Sequence, residues 1–294
     1  MTDKLILGTV QFGLNYGINN KLGQISENHI KEILDVAFDK GIKILDTAEG
    51  YGNAQERIGN YHKNTINKFD IVTKFHAKFV VDENFSIRKV ILNDLSILSV
   101  DVLYGYMFHS FSDYKKYYTL FEKELLILKK EGVINKIGVS VYTNEELLAV
   151  IENKNIELIQ LPFNLLDNHK LRSAAILEAK EKGIEIHTRS AFLQGLFFKS
   201  IDSIQGNIIN LKNNLKKINN QINTSNSDTA TFALNYPVGK NYVDKVLIGV
   251  DSLEQLEQNI NAVNTSLNFR PFFESVDSLE VKNKELLNPS LWKI

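Results

Sequence analysis

The fold is decided by Gly41-Ile42-Lys43-Ile44-Leu45-Asp46-Thr47-Ala48-Glu49-Gly50-Tyr51-Gly52-Asn53, near the start of the 294-residue chain. This stretch opens as an apolar strand that ends at Asp46, and then turns through a polar loop that carries Tyr51. A helix is predicted to follow, with Asn53 as its N-cap and Glu56 placed to reach back to the cap. In a parallel αβ barrel, catalytic side chains lie where strands run out into such loops. We therefore expect other strands to bring polar residues to the same end.

Strand and helix patterns alternate along the whole chain. Short apolar runs predict strands at 4–9, 42–46, 69–74, 102–109, 137–141, 158–163, 184–189 and 246–250. Apolar residues at helical spacing predict helices at 26–40, 53–62, 86–98, 113–130, 144–152, 170–182, 207–221, 228–235 and 252–262. Strands separated by helices imply right-handed parallel crossovers. Eight such units favour a closed (β/α)₈ TIM barrel over an open doubly wound sheet.

The chain carries no linker that would divide it into domains. We therefore predict a single barrel domain over residues 1–294. The longest irregular region lies between the seventh and eighth strands, where an extra helical insert is expected at about 200–236. A C-terminal tail is expected at about 268–294.

Composition excludes several classes of protein. A formal net charge of -1 gives no electrostatic case for binding nucleic acid or a membrane surface. The absence of cysteine excludes disulfides, thiolate nucleophiles and thiolate metal sites. No signal-peptide pattern and no membrane-spanning apolar run is present, so a cytoplasmic location is expected. The expected partner is a small molecule, and the expected state is a monomer or small homo-oligomer.

Four polar side chains fall at or just beyond three consecutive predicted strands. Asp46 ends the second strand with Tyr51 just beyond it, Lys74 ends the third and His109 ends the fourth. A lysine that finishes an apolar strand is costly unless it is paired, and Asp46 is the expected counter-ion. A nearby ammonium lowers the pKa of a tyrosine phenol from about 10, so Tyr51 is expected to exchange a proton with an alkoxide or alcohol. His109 is expected to orient a carbonyl oxygen, and hydride would require a cofactor.

Each of these residues also has a structural interpretation. Asp46 alone fits a turn, Tyr51 half-buried packing, Lys74 a solvated strand end and His109 a satisfied core histidine. Their joint occurrence at neighbouring barrel positions favours a catalytic constellation. The other histidines show no metal-ligand spacing, and His76 is expected either near the substrate or in solvent.

Two motifs at the first and second strands are typical of one family. They are Leu7-Gly8-Thr9 with Phe12-Gly13, and Leu45-Asp46-Thr47-Ala48 with Tyr51-Gly52, Glu56 and Gly59. With them the sequence resembles the aldo/keto reductase superfamily across nearly the whole barrel. The resemblance implies that Tyr51 is the acid/base and that Lys74 tunes it. It also implies that Asp46 partners Lys74 and that His109 orients the substrate carbonyl.

The same resemblance implies a nicotinamide cofactor, NADP(H) or NAD(H), extended across the barrel mouth, with no Rossmann fold and no metal. Cofactor contacts are expected from Gly8, Thr9, Ser140, Gln160, Arg189, Ser190, Phe192, Gln194, Gly249, Ser252, Gln255 and Asn259. Val141 stands where the family has an asparagine. Arg189 stands where the family often has a tyrosine that stacks on the nicotinamide, and a guanidinium plane can also stack. Ser190 to Gln194 are expected to line the pyrophosphate.

The segment from Ile248 to Asn259 resembles the family's adenosine-binding segment. Members that prefer NADPH commonly place Lys or Arg here, whereas this chain offers Asp251 and Gln255. A carboxylate repels a 2′-phosphate, so we predict tolerance of NADH or a weak preference for NADPH. A capping box formed by Ser252 and Gln255 would explain both residues without a cofactor.

The predicted function is reduction of an aldehyde or ketone by hydride transfer, or the reverse reaction, with Tyr51 as proton donor. The segment 9–17 resembles a bacterial branch often associated with sugar metabolism, so a sugar-derived carbonyl is one hypothesis. Substrate choice is expected to depend on residues 10–24, 75–84, 110–116 and the tail after 268. Two alternatives stay open: a nicotinamide-binding sensor subunit with little turnover, and a lyase or isomerase that forms a Schiff base on Lys74.

Overall fold

The computed structural model of the protein describes residues 1–15, 23–76, 79–82 and 84–293. In these ranges eight parallel strands close into a barrel in which each strand pairs with the next and the last pairs with the first. The strands are Leu5–Gly8 (β1), Ile44–Asp46 (β2), Asp70–Phe75 (β3), Leu103–Phe108 (β4), Ile134–Ser140 (β5), Leu158–Pro162 (β6), Glu185–Arg189 (β7) and Lys245–Gly249 (β8). The predicted (β/α)₈ barrel is confirmed.

Helices connect the strands and bury their apolar faces against the sheet. Over the described residues they are Val10–Gly13 (α1), Glu27–Asp39 (α2), Ala54–Lys63 (α3), Ile87–Leu98 (α4), Phe111–Lys130 (α5), Asn144–Ile151 (α6), His169–Glu181 (α7), Lys212–Thr224 (α8), Thr229–Val238 (α9), Leu253–Val263 (α10) and Arg270–Asp277 (α11). In α2 the buried residues are Ile30, Ile33, Leu34 and Ala37, the spacing of one helix face. None of the described helices combines the length and apolarity needed to span a membrane.

The two-residue period of the strands positions polar groups at one end of the barrel. Ile6, Ile44, Val72, Met107 and Leu158 form a small apolar cluster that is separate from the larger core. Side chains two residues apart on a strand point to the same face. The residue two positions after Ile44, Val72, Met107 or Leu158 therefore lies above this cluster, toward the carboxyl ends of the strands.

Helix caps account for several predicted helix starts. Ser26, Ser86 and Ser110 each accept a hydrogen bond from the amide three residues later, at the starts of α2, α4 and α5. At α6, Thr143 is the cap and Glu146 completes a capping box. The start of α3 differs from the prediction. Asn53 precedes that helix without capping it, because its side-chain oxygen accepts a hydrogen bond from Gln24 at 2.7 Å instead.

Other differences concern segments predicted from weak patterns. The predicted loop at 10–24 begins with the short helix α1, and residues 16–22 of it lie outside the described part of the chain. The helix predicted at 207–221 begins as a 3₁₀ turn, Gly206–Leu211, before α8. The tail after 268, predicted without helices, contains α11, whose Phe273 and Val276 are buried. Apolar contact with the barrel gives this short segment the stability that its own sequence lacks.

Candidate active site

A cavity of about 640 Å³ opens at the carboxyl ends of the strands. Asp46, Tyr51 and His109 line it, so the loop after β2 and the end of β4 meet at one place. Of the residues predicted to contact the cofactor, those that line the cavity are Gly8, Thr9, Ser140, Gln160, Arg189, Ser190, Phe192, Gln194, Gly249, Gln255 and Asn259. Ser252 does not line it; its hydroxyl caps α10 by accepting from the Gln255 amide.

Lys74 lies beneath the cavity and is bound from two sides. Its ammonium is ion-paired with Asp46 and donates to the carbonyl of Thr47 at 3.0 Å, and both charged side chains are only 1% exposed. Burial lowers the pKa of Lys74, and the adjacent Asp46 carboxylate raises it in part. Gln160 donates to the second oxygen of Asp46 at 2.8 Å. Gln160, expected only as a cofactor contact, is therefore part of the charged network as well.

Tyr51 and His109 stand together above this ion pair. Their rings meet edge to face, with centroids 5.7 Å apart and planes at 81°. The Lys74 ammonium lies 5.4 Å from the centre of the Tyr51 ring. Burial, assisted by the nearby Lys74 charge, lowers the pKa of His109 to about 4. His109 is therefore a neutral imidazole at neutral pH.

The loop that carries Tyr51 is fixed by a contact that sequence reasoning missed. Glu49 is 6% exposed and accepts a hydrogen bond from the Tyr106 hydroxyl on β4 at 2.8 Å. It also accepts from the backbone amide of His76 at 3.1 Å. The His76 ring lies 6.0 Å from that of His109. This role of Glu49 could not be predicted from the sequence, because its tyrosine partner belongs to an apolar strand 57 residues away.

Arg189 enters the cavity from the end of β7. Its guanidinium lies 4.2 Å from the centre of the Tyr142 ring, and one of its nitrogens is 3.5 Å from the carbonyl oxygen of Val141. Both Arg189 and Tyr142 line the cavity. Arg189, which stands where the family often has a tyrosine, thus places a positive charge beside the other polar groups. The Tyr142 ring stabilises this charge through a cation–π contact.

The loop after β7 holds an uncommon backbone conformation. Ser190, Leu193 and Gln194 have φ values of 64°, 45° and 50°. Non-glycine residues in this region cost about 1–3 kcal/mol each and concentrate at functional sites. Ser190 and Gln194 line the cavity, so the strained loop forms part of its wall.

The far end of the cavity is formed by β8 and the start of α10. Asp251, Gln255 and Asn259 line this end, and the Gln255 side chain accepts from the Asp251 amide at 2.8 Å. One oxygen of Asp251 is buried with no hydrogen-bond partner among the described residues, as are the side-chain oxygen of Gln11 and Nδ1 of His109. The residues that carry these buried atoms line the cavity. Polar residues at both ends of the cavity suit an elongated polar ligand such as a dinucleotide.

Comparisons with known proteins identify the family of the chain. The model of the Aldo/keto reductase family matches residues 4–279. The chain is 26% identical to the uncharacterized oxidoreductase YqkF of Bacillus subtilis (strain 168) over 81% of its own length and 83% of that protein's. It is also 26% identical to methylglyoxal reductase DkgA of Escherichia coli (strain K12), over 64% of its length and 65% of that protein's.

A solved structure shares the fold. The holo form of aldo-keto reductase AKR11C1 from Bacillus halodurans superimposes with a TM-score of 0.74 at 20% identity, covering 96% of this chain and 94% of that one. The family match extends over all eight strands of the barrel. The chain belongs to the aldo/keto reductase family and is an NAD(P)H-dependent oxidoreductase.

Proposed function

We propose that this protein reduces an aldehyde or ketone to the alcohol, with Tyr51 as the proton donor. The observation that carries the proposal is the meeting of Tyr51 and His109 above the buried pair of Lys74 and Asp46. An acid and a neutral hydrogen-bond donor at the cavity, with a buried cation beneath them, are the groups that a carbonyl needs as its oxygen gains negative charge.

Tyr51 transfers the proton and Lys74 makes the transfer favourable. When the phenol gives its proton to the carbonyl oxygen, the ammonium of Lys74 stabilises the negative charge left on Tyr51. Asp46 and the carbonyl of Thr47 hold that ammonium in place. Gln160, by donating to Asp46, fixes the carboxylate in turn.

His109 holds the carbonyl oxygen. As a neutral imidazole it carries one N–H, which can donate to that oxygen without placing a second full charge beside Lys74. The low pKa means that this donor persists throughout the range in which most enzymes are assayed.

The cofactor would be held by the cavity residues named above. Ser140 and Gln160 would bind the carboxamide, Ser190 to Gln194 the pyrophosphate, and Gln255 with Asn259 the adenosine. A nicotinamide dinucleotide bound there supplies or accepts the hydride. Asp251 lines the cavity at the adenosine end, and a carboxylate can accept a hydrogen bond from a ribose 2′-hydroxyl.

The Asp251 carboxylate also leads us to propose use of NADH, with at most a weak preference for NADPH. A 2′-phosphate at this end would face the Asp251 carboxylate, and none of the residues lining the described cavity there is Lys or Arg. Comparing kcat/KM for the two cofactors tests this, and Asp251→Asn should improve the use of NADPH relative to NADH. A strong preference for NADPH in the unmodified enzyme, unaffected by Asp251→Asn, would contradict the assignment.

Activity is tested with a panel of carbonyl compounds. We propose that the substrate is a small polar or sugar-derived carbonyl, and the panel should include methylglyoxal, since one relative is named for that substrate. Steady-state turnover of polar carbonyls is the expected result. Activity confined to apolar aldehydes would contradict the substrate class, and cofactor binding without turnover of any carbonyl would indicate a sensor.

The alternative in which Lys74 forms a Schiff base with the substrate is tested by trapping that adduct with borohydride. The Lys74 ammonium is engaged by Asp46 and Thr47 and does not line the cavity, which disfavours it as a nucleophile. Borohydride treatment in the presence of substrate should leave Lys74 unmodified. Covalent labelling of Lys74 would overturn the proposal.

A further inference from the structure

Arg189 places in the cavity a positive charge that has no part in the proton transfer proposed for Tyr51. Among the described residues that line the cavity, it is the one Lys or Arg side chain. His109 also lines the cavity but is neutral, and Lys74 lies below it, paired with Asp46.

The charge of Arg189 is not neutralised by a contacting carboxylate. Its guanidinium forms no ion pair within the described part of the chain; it rests on the Tyr142 ring and near the Val141 carbonyl. Asp167 is near enough for the Arg189 charge to act against the rise that burial causes in its pKa, but both of its carboxylate oxygens are bound to Arg172. The field of Arg189 therefore extends into the cavity instead of ending at a counter-ion.

That field reaches the reacting groups. The positive charge of Arg189 contributes to lowering the pKa values of both Lys74 and His109, after the larger effect of burial. Any ring that passes hydride to a carbonyl held by Tyr51 and His109 has to contact that carbonyl carbon. It must then lie within the same field.

A nicotinamide ring is positively charged when oxidised and uncharged when reduced. A fixed cation beside it raises the free energy of the oxidised form and leaves the reduced form nearly unaffected. We infer that Arg189 makes this enzyme bind reduced nicotinamide cofactor more tightly than oxidised cofactor, and so favours release of the oxidised product. This inference rests on the function proposed above and adds a residue that sets the redox preference of the site.

The test compares dissociation constants of the reduced and oxidised forms of one dinucleotide, measured by fluorescence and by calorimetry. The unmodified protein should prefer the reduced form by about tenfold or more, the effect expected of two like charges partly screened by solvent. Arg189→Gln should remove most of this preference by lowering the dissociation constant of the oxidised form. Arg189→Lys, which keeps the charge, should retain it.

Two comparisons make the result specific. Lys154→Gln removes a cation from an exposed residue outside the cavity and should leave the ratio unchanged. If Arg189→Gln weakens both forms equally, Arg189 serves an anionic group such as the pyrophosphate and the inference is wrong, while the proposed function stands. If the unmodified protein binds neither form, the proposed function itself fails, together with the inference.

Discussion

At the scale of single residues, Asp46 links the stability of the protein to its chemistry. One carboxylate oxygen pairs with Lys74 and the other accepts from Gln160, and the carboxylate is almost completely removed from water. A buried ion pair of this kind contributes little net stability, yet loss of one partner leaves an uncompensated charge. The pair is therefore explained better by the role we propose for it beside Tyr51 than by any stabilisation of the barrel.

Replacing Lys74 should show how much stability is lost when the Asp46 charge is left unpaired. Lys74→Met leaves Asp46 charged and buried, and should lower the free energy of unfolding by about 3 kcal/mol. Adding Asp46→Asn removes the stranded charge and keeps an oxygen for Gln160, so the double variant should recover most of that loss while staying inactive. Urea denaturation followed by circular dichroism measures both. Equal stability of the single and double variants would contradict this description of the pair.

His109 should make stability depend on pH. Its pKa is about 4 when folded and near the usual 6.5 when unfolded, so the unfolded chain takes up a proton first as pH falls. The stability that His109 contributes is present above pH 6.5 and declines as pH falls toward 4. His109→Gln should flatten the urea-midpoint profile across this window. An unchanged slope would mean that His109 is not held neutral in the folded protein.

At the scale of elements, α4 ends at a residue whose conformation suits glycine. Ser99 has φ 54° and ψ 50°, in the left-handed region that follows many helices. Ser99→Gly should stabilise the protein by roughly 1 kcal/mol, because the side chain no longer opposes this conformation. Ser96→Gly, the same change on an exposed residue inside the helix, should destabilise it. Thermal unfolding compares the two, and a shift of the same sign in both would contradict the argument.

The elements themselves were largely predictable, because each strand is a short apolar run and each helix a periodic one. The converging positions of Asp46, Lys74 and His109 followed from counting strands, since neighbours in sequence are neighbours in a parallel barrel. The contacts of Glu49 and the left-handed backbone at Gln194 could not be predicted from the sequence pattern. Both depend on groups distant in sequence or on backbone strain, and neither leaves a periodic pattern.

At the scale of the whole molecule, the barrel has a second polar cluster at the end opposite the cavity. Glu185 on β7 accepts from Tyr104 on β4, pairs with Lys136 on β5 and contacts His187 at 2.6 Å. Side chains from three strands are thus joined near the amino ends of the strands. Residues at this face of a (β/α)₈ barrel serve stability, whereas the opposite face serves catalysis.

Glu185 should therefore contribute to the stability of the protein at acid pH. Burial raises its pKa, but the bonds from His187, Lys136 and Tyr104 outweigh burial and bring the value to about 2. Its contribution is present above the unfolded value of 4.5 and is lost as pH falls toward 2. Glu185→Gln should cost about 2 kcal/mol at neutral pH and flatten the acid-unfolding profile between these limits.

The matched comparison for Glu185 is Glu131→Gln. Glu131 also bonds a cation, Arg88, but on the protein surface, where such pairs contribute little. Acid-induced loss of circular dichroism should hardly change in that variant. If the two variants behave alike, the cluster does not tie the strands together as described.

The most direct test of the central claim is a single-turnover measurement on Tyr51→Phe, with the reduced cofactor bound in advance and the carbonyl substrate at saturation. The hydroxyl is removed and the ring that contacts His109 is kept. The dissociation constant of the cofactor should stay nearly unchanged, while the rate of cofactor oxidation should fall by at least about a hundredfold. Oxidation at the unmodified rate would show that another group supplies the proton, and the assignment of Tyr51 would be wrong.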